Sequence, residues 1–267
     1  MSFPQRTDFI KTHLFEIETY VRSKSMGFPV SMLDPRDSAS GHEDGSAPKP
    51  STRQRLMEAS GQLFADHGWK AVSIRAIAAA ADVNVAALNY HFGSKEQLLT
   101  EIFAALAKPI VEERMRLLAE IERSGETPPL EAILEAFLRP ALAVGSDRQF
   151  GRRAFVKLRA RLATESEAFS RKILASTFDE SSNAFLTALE RALPEISRAD
   201  LEWRFHLMLG AMFYTMADPG RIQSLTHGRC DPSRIEDALR HTIPFLAAGF
   251  RSAPAFVPSI KPRKRSK

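Results

Sequence analysis

The stretch from Ser73 to Gln97, SIRAIAAAADVNVAALNYHFGSKEQ, constrains the fold most, because it reads as two short helices joined by a tight turn with a third helix starting at once. Ile74, Ile77 and Ala78 fall at i, i+3, i+4 and give the first helix one buried stripe; Val85, Leu88 and Phe92, at i, i+3, i+7, give the second its own. Between them lies Ala81-Asp82-Val83-Asn84. A helix usually ends there on a glycine in left-handed conformation, and Asp82 is an acceptable substitute because its short polar side chain bonds locally. Asn84 is then the N-cap of the second helix, and Ser94 with Gln97 forms a capping box for the third.

Such a helix-turn-helix can lay its second helix in a DNA major groove. The outward face of that helix carries Ala86, Ala87 and Asn89, small or amide side chains that let a backbone approach base edges, where a solvated face more often carries Glu and Lys. Tyr90, His91 and Lys95 cluster just beyond, placed for phosphates and base edges. Lys95 sits in the first turn of a helix, where a cation is unfavourable unless an anion is near, so it points to a phosphate partner. The competing reading is an alanine-rich amphipathic helix in a bundle.

With TRQRLMEASGQLFADHGW, SIRAIAAAADV and LNYHFGSKEQLL, the segment Thr52 to Leu99 resembles the DNA-binding domain of the TetR family of bacterial transcriptional regulators. The resemblance covers three helices and the start of a fourth. It implies an all-α protein: an N-terminal three-helix helix-turn-helix domain followed by a helical ligand-binding and dimerisation domain. It implies that Arg75 contacts DNA from the second helix, that Ala86, Ala87, Asn89 and Tyr90 lie on the recognition helix, and that His91 and Lys95 meet phosphates. Where many members have tyrosine this chain has Asn89, which can instead pair with adenine N6 and N7. Asp82 replaces the usual turn glycine.

The rest of the chain is expected to be helical at Ile110–Arg123, Leu130–Val144, Gln149–Thr164, Ala168–Leu193, Ala199–Ala217 and Pro232–Arg251, separated by Gly and Pro breaks. Pro109, Pro140 and Pro244 are expected to kink these helices or move their ends. The expected division is a polar N-terminal extension over 1–50, a helix-turn-helix domain over 51–104, a helical domain over 105–252 and a basic tail over 253–267. Within the extension, Asp8 to Lys24 has helical spacing and Asp34 to Pro50 reads as a linker. Two readings of the extension stand: a functional leader, or a start codon placed upstream of Met26 or Met32.

Net charge is +5, but five of the 37 basic residues lie in the last seven positions, and without them the chain is neutral against its 32 acids. Charge alone therefore does not argue for nucleic acid. A single cysteine, Cys230, excludes an internal disulfide and fits a reducing cytoplasm. No membrane span or apolar leader core is visible. The cluster His227-Gly-Arg-Cys230-Asp231 lacks a second ligand pair and reads as a surface loop, and no nucleotide-binding, hydrolase or zinc-protease motif is present. The expectation is therefore no metal, no cofactor and no enzyme.

Two late segments, WRFHLMLGAMFYTM from Trp203 and IPFLAAGFRS from Ile243, are apolar around much of their circumference, as helices buried against both a domain and a second subunit would be. The resemblance implies a homodimer through these last helices on a near-palindromic operator of double-stranded DNA. These segments, with NVAALNYHFGSKE, are also similar to the PsrA-like branch, which implies a fatty acid or acyl-CoA effector. Eighteen Phe against three Tyr suits a small apolar ligand, with Arg152, Phe155, Lys157, Phe178 and Phe213 as candidate contacts. A different class remains open: a helical small-molecule- or protein-binding module with a degenerate DNA head.

Overall fold

The computed structural model describes residues 50–123, 125–146, 150–164, 168–217 and 220–253, and among these there are helices and no strand. The elements are α1 Thr52–His67, α2 Ile74–Ala80, α3 Val85–Phe92, α4 Lys95–Glu122, α5 Leu130–Ser146, α6 Phe150–Thr164, α7 Ala168–Ala192, α8 Arg198–Ala217, α9 Arg221–Leu225 and α10 Ile235–Phe250. The sequence expectations for Asp8–Lys24, the linker and the tail from 254 lie outside the described residues.

The described residues form two compact units: those up to Lys108 together with those within 148–173, and those within 109–147 together with those from Leu174 onward. In the first, four helix starts are set by side-chain caps. Ser51, Ser73, Asn84 and Ser94 accept from the backbone N–H of Gln54, Ala76, Ala87 and Gln97 at 3.2, 3.1, 2.8 and 3.0 Å. The ends of α1 and α3 fall on Gly68 and Gly93 at φ +82° and +71°. Helix α1 packs on α2, α3 and α6. The shared core holds Leu56, Leu63, Phe64, Ile77, Leu88 and Phe103, with Phe103 stacked on Phe155 of α6 at 5.6 Å. Lys157 of α6 pairs with Asp66 at 2.5 Å, and Arg161 donates to the Asp66 carbonyl at 3.0 Å. Burial alone would raise the Asp66 carboxyl, but hydrogen bonds from Lys157 and Gln62 and the charges of Lys157 and His67 hold it below the usual range.

In the second unit α5 packs on α8 and α10, and α8 on α10. Phe137 of α5 stands at its centre, edge-on to Phe185 at 5.0 Å and Phe205 at 5.1 Å. Arg114 of α4 is 3% exposed and lays its guanidinium over the Phe137 ring.

Three expectations need correction. Helix α4 runs unbroken from Lys95 to Glu122 through Pro109, where the sequence predicts a new helix at Ile110. Proline in a helix interior costs about 3 kcal/mol, but Leu106, Ala107 and Ile110 beside it are buried, and such burial outweighs local propensity. Prolines 140 and 244 are likewise held inside α5 and α10. The last helix starts at Ile235 rather than Pro232, after a one-turn α9 that periodicity does not reveal. Only half of the capping box closes: the Ser94 N–H donates to the Phe92 carbonyl at 2.7 Å instead of to the Gln97 side chain, whose amide donates to Glu101 at 3.3 Å.

Candidate nucleic-acid interface

The turn between α2 and α3 has the geometry its sequence implies. Asp82 is left-handed at φ 51°, its N–H bonds to the Ala79 carbonyl at 3.2 Å, and the Val83 N–H bonds to the Ala78 carbonyl at 3.0 Å. This pair of bonds is the Schellman arrangement, which satisfies carbonyls that a helix end leaves orphaned. Arg55 of α1 donates to the Asp82 carbonyl at 3.2 Å and so ties the turn to the first helix.

Leu88 and Phe92 anchor α3 at 0% and 4% exposure. Ala86, Asn89 and Tyr90 are exposed on its outer side, Tyr90 at 86%, while Ala87 and His91 are half-buried. Tyr90 and His91 meet edge-to-face at 5.1 Å. Arg75 is exposed in the first turn of α2. Lys95, the first residue of α4, is half-buried, with Nζ donating to the Val72 carbonyl at 3.0 Å and lying 5.3 Å from the Trp69 ring centre. It therefore holds the loop before α2 against the start of α4. An ammonium has three donors, so this bond leaves others to turn toward a phosphate.

Val85 departs from the buried stripe expected for it and is 40% exposed. Its Cα–Cβ bond tilts toward the helix N-terminus, so a first-turn side chain leans past the start of a two-turn helix instead of into the layer that covers Leu88. The i, i+3 spacing carries no sign of this end effect.

On the second unit, Trp203, Leu207 and Tyr214 are exposed at 69%, 65% and 59% and share one stripe of α8 with Gly210; Phe245 of α10 is 74% exposed. A Cβ added at Gly210 or Gly249 would meet nothing of this chain within 4 Å. A surface groove of about 360 Å³ has Met115, Leu118, Ala119 and Ala184 along it, with Thr187 and the Glu122–Arg191 ion pair as its polar members. A smaller cavity of about 170 Å³ lies among Leu142, Thr215, Met216 and Gln223.

Of the five ligand candidates read from the sequence, the four whose side chains are described line neither space. Phe155 is buried against Phe103, Lys157 is paired with Asp66, Phe178 and Phe213 are half-buried, and the Arg152 side chain lies outside the described residues. Cys230 is exposed, and among the described residues no three His, Cys, Asp or Glu side chains cluster as metal ligands. No described helix is long and apolar enough to cross a membrane.

Residues 56–102 match the family model of bacterial regulatory proteins, tetR family, and residues 135–249 match that of the tetracyclin repressor-like C-terminal domain. The chain is 36% identical over 66 residues to the probable HTH-type transcriptional regulator YttP of Bacillus subtilis, covering 23% of this chain and 32% of that protein. It is 40% identical over 52 residues to the HTH-type transcriptional repressor KstR2 of Mycolicibacterium smegmatis, covering 20% and 25%. These matches thus span no more than a third of either relative. Among solved structures, the ketosteroid transcriptional regulator KstR2 of Mycobacterium tuberculosis superposes with TM-score 0.52 at 17% identity, covering 74% of this chain and 96% of that one. The TetR family transcriptional regulator PfmR of Thermus thermophilus does so with TM-score 0.50 at 21% identity, covering 77% and 99%. At such identities the likeness is one of fold.

Proposed function

We propose, from the premise that the chain belongs to the TetR family of bacterial regulatory proteins, that this DNA-binding transcriptional regulator is a homodimeric repressor released from its operator by a small apolar effector. The observation that carries the reading is the outer face of α3, where Ala86, Asn89 and Tyr90 stand exposed beyond a capped and tied turn. Arg75, Ala86, Ala87, Asn89, Tyr90, His91 and Lys95 form the DNA contact set, working in the cytoplasm. Retention of fragments of the source genome on the immobilised protein tests this reading. A protein that retains none is instead a helical binding module with a degenerate head.

Asn89 and Lys95 divide the work at that surface. Asn89→Ala is expected to lower discrimination at one base position by about 1–3 kcal/mol. Lys95→Ala is expected to weaken binding to all sequences alike and to flatten the salt dependence by roughly one phosphate contact. Binding isotherms at several salt concentrations on matched and mismatched sites separate the two. A Lys95→Ala protein with altered base preference and an unchanged salt slope contradicts the assignment.

For the effector, the resemblance to the PsrA-like branch favours a fatty acid or acyl-CoA. The groove along Met115, Leu118, Ala119 and Ala184, with Arg191 and its partner Glu122 at its edge, supports an apolar ligand with an anionic head. Release is a linkage effect: a ligand that prefers the arrangement unfit for DNA weakens operator affinity by that preference. Each methylene buried adds about 0.8 kcal/mol, so displacement of operator should strengthen with acyl length until the space is filled. Titration of acyl ligands of increasing length against the protein–operator complex checks this, and displacement independent of length below the micellar range contradicts it.

A further inference from the structure

We infer that Val85 reads the 5-methyl group of a thymine in the major groove, making that methyl a required feature of each operator half-site. The inference rests on the DNA-binding reading above and adds a contact that periodicity assigns to the core. Within the described head unit the exposed large apolar side chains are Val85 and Tyr90. Val85 occupies the first turn of α3, and the N-terminal residues of a recognition helix are those that reach base edges.

An isopropyl group can neither donate nor accept a hydrogen bond. The thymine methyl is the apolar feature of the major-groove edge, so it is the feature such a side chain can recognise. Valine is also stiff in a helix, where one χ1 rotamer dominates, so its methyls are fixed before contact and little freedom is lost on docking. The neighbouring side chains leave room: Ala86 and Ala87 are small, and the Asn84 carboxamide oxygen is held by the Ala87 N–H at 2.8 Å.

Spacing narrows the prediction further. Val85 and Asn89 are four residues apart, about 6 Å along the helix axis, and both are exposed. Such a rise spans one to two base-pair steps. The thymine read by Val85 therefore lies within about two steps of the base read by Asn89.

The test uses the full chain and a fragment retained from the source genome, in which each thymine is replaced in turn by deoxyuridine, removing only the methyl. Wild-type protein is expected to lose about fourfold in affinity for each half-site at one thymine position. Val85→Ala is expected to bind the unmodified fragment about fourfold more weakly per half-site and to treat thymine and uracil there alike. Thermal melting of the variant, expected to match wild type at this half-exposed position, separates lost contact from lost fold. A scan in which no thymine matters overturns the assignment and leaves the regulator standing, as does a uracil penalty that persists in Val85→Ala. Failure of wild-type protein to retain any fragment overturns both.

Discussion

Arg114→Ala is expected to destabilise the protein by about 3–5 kcal/mol. The guanidinium is buried, its Nε donates to the Phe137 carbonyl at 2.8 Å, its Nη2 approaches the Met212 sulfur at 3.2 Å, and its carbon lies 3.7 Å from the Phe137 ring centre. A desolvated cation over an aromatic face contributes about 2 kcal/mol or more, and a buried acceptor left short of a donor costs about 1–3 kcal/mol. Pro140 withholds the N–H that would bond the Ala136 carbonyl, one residue before the carbonyl that Arg114 bonds. Arg114→Met keeps the length of the stem and removes a costly buried charge, so it should lose less than the alanine variant. Urea unfolding at fixed protein concentration reads both. An alanine variant within about 1 kcal/mol of wild type contradicts the role given to the guanidinium.

Leu207→Glu is expected to weaken self-association by about 3–6 kcal/mol, since a two-fold interface loses each substituted leucine twice and burial of one is worth about 1.5–3 kcal/mol. Leu207 lies on the exposed α8 stripe with Trp203, Gly210 and Tyr214. Gly210→Leu sharpens the point. A Cβ at that position touches nothing of its own chain, so the monomer fold should be unharmed and helix propensity improved, while a partner helix packed close against the glycine would be pushed away. Sedimentation equilibrium across micromolar concentrations measures both variants. A wild-type monomer in that range, or a Leu207→Glu protein as dimeric as wild type, contradicts the interface.

The head is legible in the sequence because its signals are local. Asp82 in the turn and the Asn84 cap depend on residues within a few positions, and both have the expected geometry. What escapes depends on packing or on helix ends. The unbroken α4 follows from burial around Pro109, and Val85 turns outward because it starts a short helix. Lys95 reads as a phosphate contact from its place in the first turn, but the bond to Val72 and the Trp69 face reach back over more than twenty residues and leave no periodic trace. The one-turn α9 is too short for any helical pattern. The two units also interleave along the chain, with α6 grouped beside α1, a partition that reading by linear segments does not reach.

Footprinting of a retained genomic fragment, with the number of chains bound per duplex counted in the same sample, tests the central claim most directly. A dimeric regulator that presents α3 to the major groove should protect two half-sites related by a dyad, their centres about one helical turn or a multiple of it apart, with two or another even number of chains per site. One chain protecting a single asymmetric site, or protection without any sequence preference, contradicts the account.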